Sequence, residues 1–78
     1  MITVEPEMEE DGKFKEVVGI YFDDDGLEEL VGRLSLLRGD STDHLHLMSE
    51  SWGLSDLSEE KQGVNSTVIH HLKLTLVK

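Results

Sequence analysis

The chain has 78 residues and a mass of 8.8 kDa, enough for one small domain with a single core and no second lobe to close over a substrate. Acidic residues outnumber basic ones 17 to 7, for a formal charge of -10, which repels phosphate backbones and anionic membranes and steers association toward a basic partner. With no cysteine, disulfides and thiolate metal sites are excluded, as suits a protein of the reducing cytoplasm.

Met1 to Glu10 holds four glutamates and no apolar run, so neither a signal peptide nor a membrane span is expected. Ile2-Thr3-Val4 reads as a short edge strand stopped by Pro6, and Glu5 to Asp11 as an acidic turn. Residues 1–12 are thus expected to form an N-terminal strand and turn beside a core built from 13–78, all in one domain. Its expected radius of gyration is about 12 Å.

From Phe14 the apolar residues Phe14, Val18, Ile20 and Phe22 recur at period two, broken by Glu16, which predicts the second strand. Asp25 and Glu28 have the spacing of a helix cap and its reciprocal partner. Leu27, Leu30, Val31, Leu34 and Leu37 then fall on one helical stripe, expected to face a sheet, with Arg38 and Gly39 closing the helix. Asp43 to Met48 alternates as a strand, with Leu45 and Leu47 opposite His44 and His46. Ser49 to Ser66 predicts a long loop anchored by Trp52, Leu54 and Leu57, and a loop of that length in a compact domain is usually functional. Thr67 to Val77 alternates as a last long strand. The expected fold is α+β: a small two-layer sandwich in β-β-α-β-β order, with one helix on one face of a mostly antiparallel sheet.

No residue set announces an enzyme. Asp23-Asp24-Asp25-Gly26 evokes a calcium loop, but the loop's first ligand position would fall on Tyr21 and its last carboxylate on Gly32, so it reads as a turn and cap. Ser49 or Ser51 near His46 lacks the elbow of a serine nucleophile. His44, His46 and His71 are expected on one open sheet face, which offers a ligand set for zinc or another divalent ion, or simply a wet polar face. Trp52-Gly53 is the most specific feature, with Trp52 read either as a core plug or as an interface anchor.

The runs His44-Leu45-His46-Leu47-Met48, Ser51-Trp52-Gly53, Leu57-Ser58-Glu59 and Ile69-His70-His71-Leu72-Lys73, with Gly26-Leu27-Glu28-Glu29-Leu30 ahead of them, resemble the immunity protein 32 family of bacterial polymorphic toxin systems. The resemblance spans roughly Ile20 to Val77. It departs from the family pattern at Leu54, where a second glycine often follows Trp-Gly. It implies a non-enzymatic protein that needs no cofactor and binds a cognate toxin to protect the producing cell. His44, His46, Trp52, Gly53, His70 and His71 are the positions that match.

Together these readings predict an immunity protein that occludes a basic toxin through an acidic surface made by Glu50, Trp52, Asp56, Glu59 and Glu60, with Asp23 and Asp24 at a sheet edge. Neither nucleic acid nor membrane is an expected partner. The alternatives are a small metal-binding protein or metal-dependent enzyme using His44, His46 and His71, or a homodimer of other role.

Overall fold

The computed structural model describes residues 1–38 and 43–77. The fold is α+β, with strands β1 (Ile2–Met8) and β2 (Phe14–Phe22), helix α1 (Asp24–Ser35), strand β3 (His44–Met48), a single 3-10 turn at Glu50–Trp52, and strand β4 (His71–Thr75). The β-β-α-β-β order is the expected one. The strands form two antiparallel pairs, β1 with β2 and β3 with β4.

β1 is longer and far more buried than a short edge strand. Ile2, Thr3, Val4 and Glu5 are each at most 2% exposed, so the first residues lie in the core and not beside it. The cause is that β1 is bonded along both edges. On one side lies β2; on the other, Ile2, Val4 and Pro6 carbonyls accept from the backbone of Ser58, Ile69 and Thr67, and Met8 N–H donates to Asn65. The even residues of β1 therefore bond toward 58–69 and the odd ones toward β2. Pro6 is an even residue, so its missing N–H costs nothing in the β1–β2 ladder, and the strand runs through it.

The 9–13 turn between β1 and β2 is closed by Glu9 N–H to Lys13 O at 2.7 Å and Gly12 N–H to Glu9 O at 2.9 Å. Pro6 opposes Val18 while Met8 opposes Phe14, so 15–17 face Glu7 as a bulge. Glu16, at φ 63°, makes that bend in the left-handed region.

The helix is capped two residues before the expected position. Asp23, not Asp25, accepts from Gly26 N–H at 2.8 Å and also holds the Met1 amine at 2.7 Å. Gly26 is required there because a Cβ would overlap the Met1 carbonyl. α1 ends at Ser35 with Leu36 as its cap; Gly39 lies outside the described residues. The leucine stripe is only partly covered. Leu37 is buried and Leu30 packs on the core, whereas Leu27, Val31 and Leu34 stay exposed, because the helix lies against β2 at the margin of the domain.

The last predicted strand is divided between two partners. Its first part, 66–69, follows β1, with Glu7 and Ser66 bridged antiparallel; after a bend at His70, β4 pairs with β3. This one segment joins the two sheets. The core they enclose is Ile2, Val4, Leu37, Leu45, Leu47 and Leu57, with Leu30, Ile69, Leu72 and Leu74 packed on it. Of the three expected loop anchors, only Leu57 is buried. The radius of gyration is 13.6 Å, above that of a fully compact chain of this length, and several large apolar side chains remain half exposed.

Candidate functional site

Two surface features collect the residues singled out in the sequence. The first is an open groove of about 390 Å³ lined by Met1, Ile2, Glu29, Ser58 and the stretch from Ser55 to Glu60, together with Glu50. It brings together Glu50, Asp56, Glu59 and Glu60, four of the predicted acidic residues, and adds Glu29. The contact that builds it is Ser58 N–H to Ile2 O at 2.7 Å, which lays the acidic loop along the start of β1.

These carboxylates differ in how far they are already engaged. Asp56 accepts from Arg33 Nη1 at 2.9 Å and from Met48 N–H at 3.1 Å, so its charge is neutralised by a part-buried guanidinium. The two Glu59 oxygens lie 2.6 and 2.7 Å from the Ser51 hydroxyl. That hydroxyl is the main reason the Glu59 carboxyl sits below the usual range, with the Ser51 N–H, Ser49 and nearby His70 adding to it against partial desolvation. Glu29, Glu50 and Glu60 form no ion pair among the described residues, and with Glu59, whose Ser51 donor carries no charge, they supply the groove's unbalanced charge.

Asp23 and Asp24 do not join this surface. Neither lines the groove, and Asp23 is committed to the Met1 amine and the helix cap. Those contacts, the amine first, hold its carboxyl below the usual range.

The second feature is a row of rings on the outer face of the β3–β4 pair. The register sets Leu45 against Leu74 and Leu47 against Leu72 on the core face, and His46 against Lys73 on the other. Leu47 is wholly buried and His44 exposed. His44 and His46 stack edge to face at 5.1 Å, His46 and His71 lie 4.8 Å apart, and Trp52 stands 5.7 Å from His71. Trp52 is 57% exposed, so it is not the core plug that one reading made it; the short 3-10 turn presents it on the surface.

His46 Nδ1 and His71 Nε2 are 2.6 Å apart, sharing one proton. Two nitrogens ligating one zinc tetrahedrally stand about 3.3 Å apart, and His44 Nδ1 is turned to Asp43 at 2.9 Å. Among the described residues no group of three or more His, Cys, Asp or Glu side chains is placed to hold a metal ion. Desolvation, helped by the neighbouring His71, His44 and Lys73 charges, lowers the His46 pKa.

The other motif positions hold the backbone. Gly53, at φ 101°, closes the 3-10 turn in a conformation that favours glycine. His70 Nδ1 lies 2.7 Å from Ser49 Oγ, and its carbonyl accepts from Ser49 N–H at 2.9 Å. With Glu59 only 3.5 Å from the same Nδ1, Ser49, His70 and Glu59 do not form a relay, which needs the base to bond its two partners through different nitrogens. Ser49 is also fully buried, out of reach of any substrate.

Glu5, expected in an acidic turn, is wholly buried. Period two sets it on the face opposite Ile2 and Val4, the side a polar residue normally turns to solvent, so its burial carries no signal in the sequence. No family model, curated protein or solved structure matches the chain. No helix among the described residues is long and apolar enough to cross a membrane.

Proposed function

We propose that this chain is an immunity-type protein that binds a basic toxin and neutralises it by occlusion, with the acidic groove as the docking surface and Trp52 as an aromatic anchor. The observation that carries the reading is the convergence of Glu29, Glu50, Asp56, Glu59 and Glu60 on one open groove. A concave site with that charge rejects anionic ligands and attracts lysine and arginine side chains. The order of the histidine, Trp-Gly and Ile-His-His motifs supports the immunity-family reading, and the solvent-facing indole suits an interface, where tryptophan is enriched.

The test is co-expression with the product of the neighbouring gene, followed by pull-down and association kinetics. Rescue from toxicity and a complex whose on-rate falls steeply with salt are expected. Reversing Glu50 and Glu60 to lysine removes charge that no ion pair among the described residues uses, and should slow association about tenfold at low salt while leaving the fold intact. Unchanged association kinetics would move the docking surface elsewhere, and the absence of both toxicity and complex would reject the immunity reading.

A further inference from the structure

We propose that the free edge of β2 pairs with β2 of a second copy, giving an antiparallel two-fold dimer whose shared sheet continues the core face. β2 closes one side of its sheet, with β1 its only strand neighbour among the described residues. Its even residues stand opposite buried ones: Phe22 opposes Ile2, which is 0% exposed, and Ile20 opposes Val4, at 2%, yet Phe22 and Ile20 are themselves 45% and 43% exposed. The core thus stops across one strand spacing, at side chains that face it and are half covered.

A second β2 laid antiparallel on this edge fits on two grounds. First, the backbone is available. The odd residues Gly19 and Tyr21 bond toward β1, so the N–H and C=O groups of Val18, Ile20 and Phe22 point outward in a regular stretch beyond the Glu16 bulge. Second, the two-fold axis of such a pair is normal to the sheet, so both copies keep Ile20 and Phe22 on one face. Both helices then lie on that face too, with Leu27, Val31 and Leu34 exposed beside it. Taking about half of each side chain's surface, these residues and Val18 present on the order of 500 Å² per copy, the apolar centre of a standard interface of about 800 Å² per partner.

The charge of -10 on each copy opposes association. Salt should therefore favour the dimer. None of these residues lines the acidic groove, so the inference is independent of the proposed function.

Light scattering and sedimentation across a concentration series should give a species of twice the 8.8 kDa chain mass at high concentration, growing with added salt. Amide exchange should show Val18, Ile20 and Phe22 protected in the dimer and open on dilution. Val18→Glu places two like charges near the axis at a half-exposed position and should weaken dimerisation about tenfold or more with unchanged circular dichroism. If that variant loses its fold, Leu27→Glu with Val31→Glu, at half-exposed helix positions outside the core, should still weaken the dimer by removing apolar area and adding like charge. A monomer at millimolar concentration in high salt, or a dimer in which the Val18, Ile20 and Phe22 amides exchange freely, would overturn the proposal.

Discussion

The Gly63 amide donates to Glu5 Oε1 at 2.9 Å across 58 positions of sequence. The same carboxylate takes the Ser66 hydroxyl at 2.7 Å on Oε1, and the Thr3 hydroxyl at 2.6 Å and the Gln62 amide at 2.9 Å on Oε2. A wholly buried side chain with four donors thus pins the far loop to β1. Glu5→Gln is expected to destabilise the protein by about 2–3 kcal/mol. Each oxygen faces one backbone N–H, so whichever way the amide turns, its NH2 group meets a donor that cannot reorient. Urea unfolding of the two proteins measures the difference.

The same site dictates an acid response. Burial raises the Glu5 pKa, but the donors from Thr3, Gln62, Ser66 and Gly63 outweigh it and hold the carboxyl at about 2, against its ordinary 4.5. A carboxyl lowered in the fold contributes stability that is fully present above the unfolded value and is lost as pH falls from 4.5 toward 2. Asp23 and Glu59 are shifted the same way, so the wild type and Glu5→Gln should both weaken in acid. The wild type should lose more over that window, and the gap between the two curves should close toward its lower end. Curves that stay parallel would mean that Glu5 is not ionised in the fold.

Arg33 is the tie between the helix and the second sheet. Its Nη1 bonds Asp56 at 2.9 Å and its Nη2 the His46 carbonyl at 2.8 Å, and the Asp56 side chain is only 16% exposed. Arg33→Ala should cost about 1–3 kcal/mol by leaving a part-buried carboxylate without its cation. Arg33→Lys should recover little of it, because one ammonium cannot reproduce the fork that reaches both acceptors. Chemical denaturation of the pair separates loss of charge from loss of geometry.

How much of this was legible depended on the reach of each cause. Alternation placed β2 and β3, including the split of Leu45 and Leu47 from His44 and His46, because the pattern is set by the strand itself. The acidic residues of 50–60 were legible as a group, though not which of them were already spent: the Arg33–Asp56 and Ser51–Glu59 pairs span 23 and 8 positions. Pro6 misled for a local reason, since the rule that it ends a strand holds only where its N–H is needed. The burial of β1 depends on residues 58–69 returning along its second edge, and Glu5 acquires its cage only through that return. Trp52 exposed against Leu57 buried was likewise undecidable from spacing, as both lie in one irregular segment and differ only in what packs beneath them.

His46 should titrate below the ordinary histidine value of 6.5, chiefly because desolvation disfavours its cation and secondarily because His71, His44 and Lys73 repel it. A histidine lowered in the fold takes up protons more readily when unfolded, so its contribution to stability is full above 6.5 and declines as pH falls below it. Nuclear magnetic resonance of the imidazole protons measures the shift directly. The His46–His71 hydrogen bond adds a second expectation: His71→Ala removes the first of the neighbouring charges and should raise the His46 value, with Trp52 reporting any loss of the local fold.

Trp52 offers the simplest check on the surface described for this protein. An indole 57% exposed on a 3-10 turn should emit at long wavelength and be quenched readily by acrylamide in the native state. Trp52→Phe should then change stability by no more than about 0.5 kcal/mol, as for other surface substitutions, where a core tryptophan would cost several times that. The same probe extends to function: if the toxin reaches from the groove to the indole, which does not itself line the groove, complex formation should shift the emission to shorter wavelength and shield it from acrylamide. A Trp52→Phe variant that folds normally but binds at least tenfold more weakly would place the indole in the interface, whereas full affinity with an unshifted spectrum would confine docking to the carboxylates.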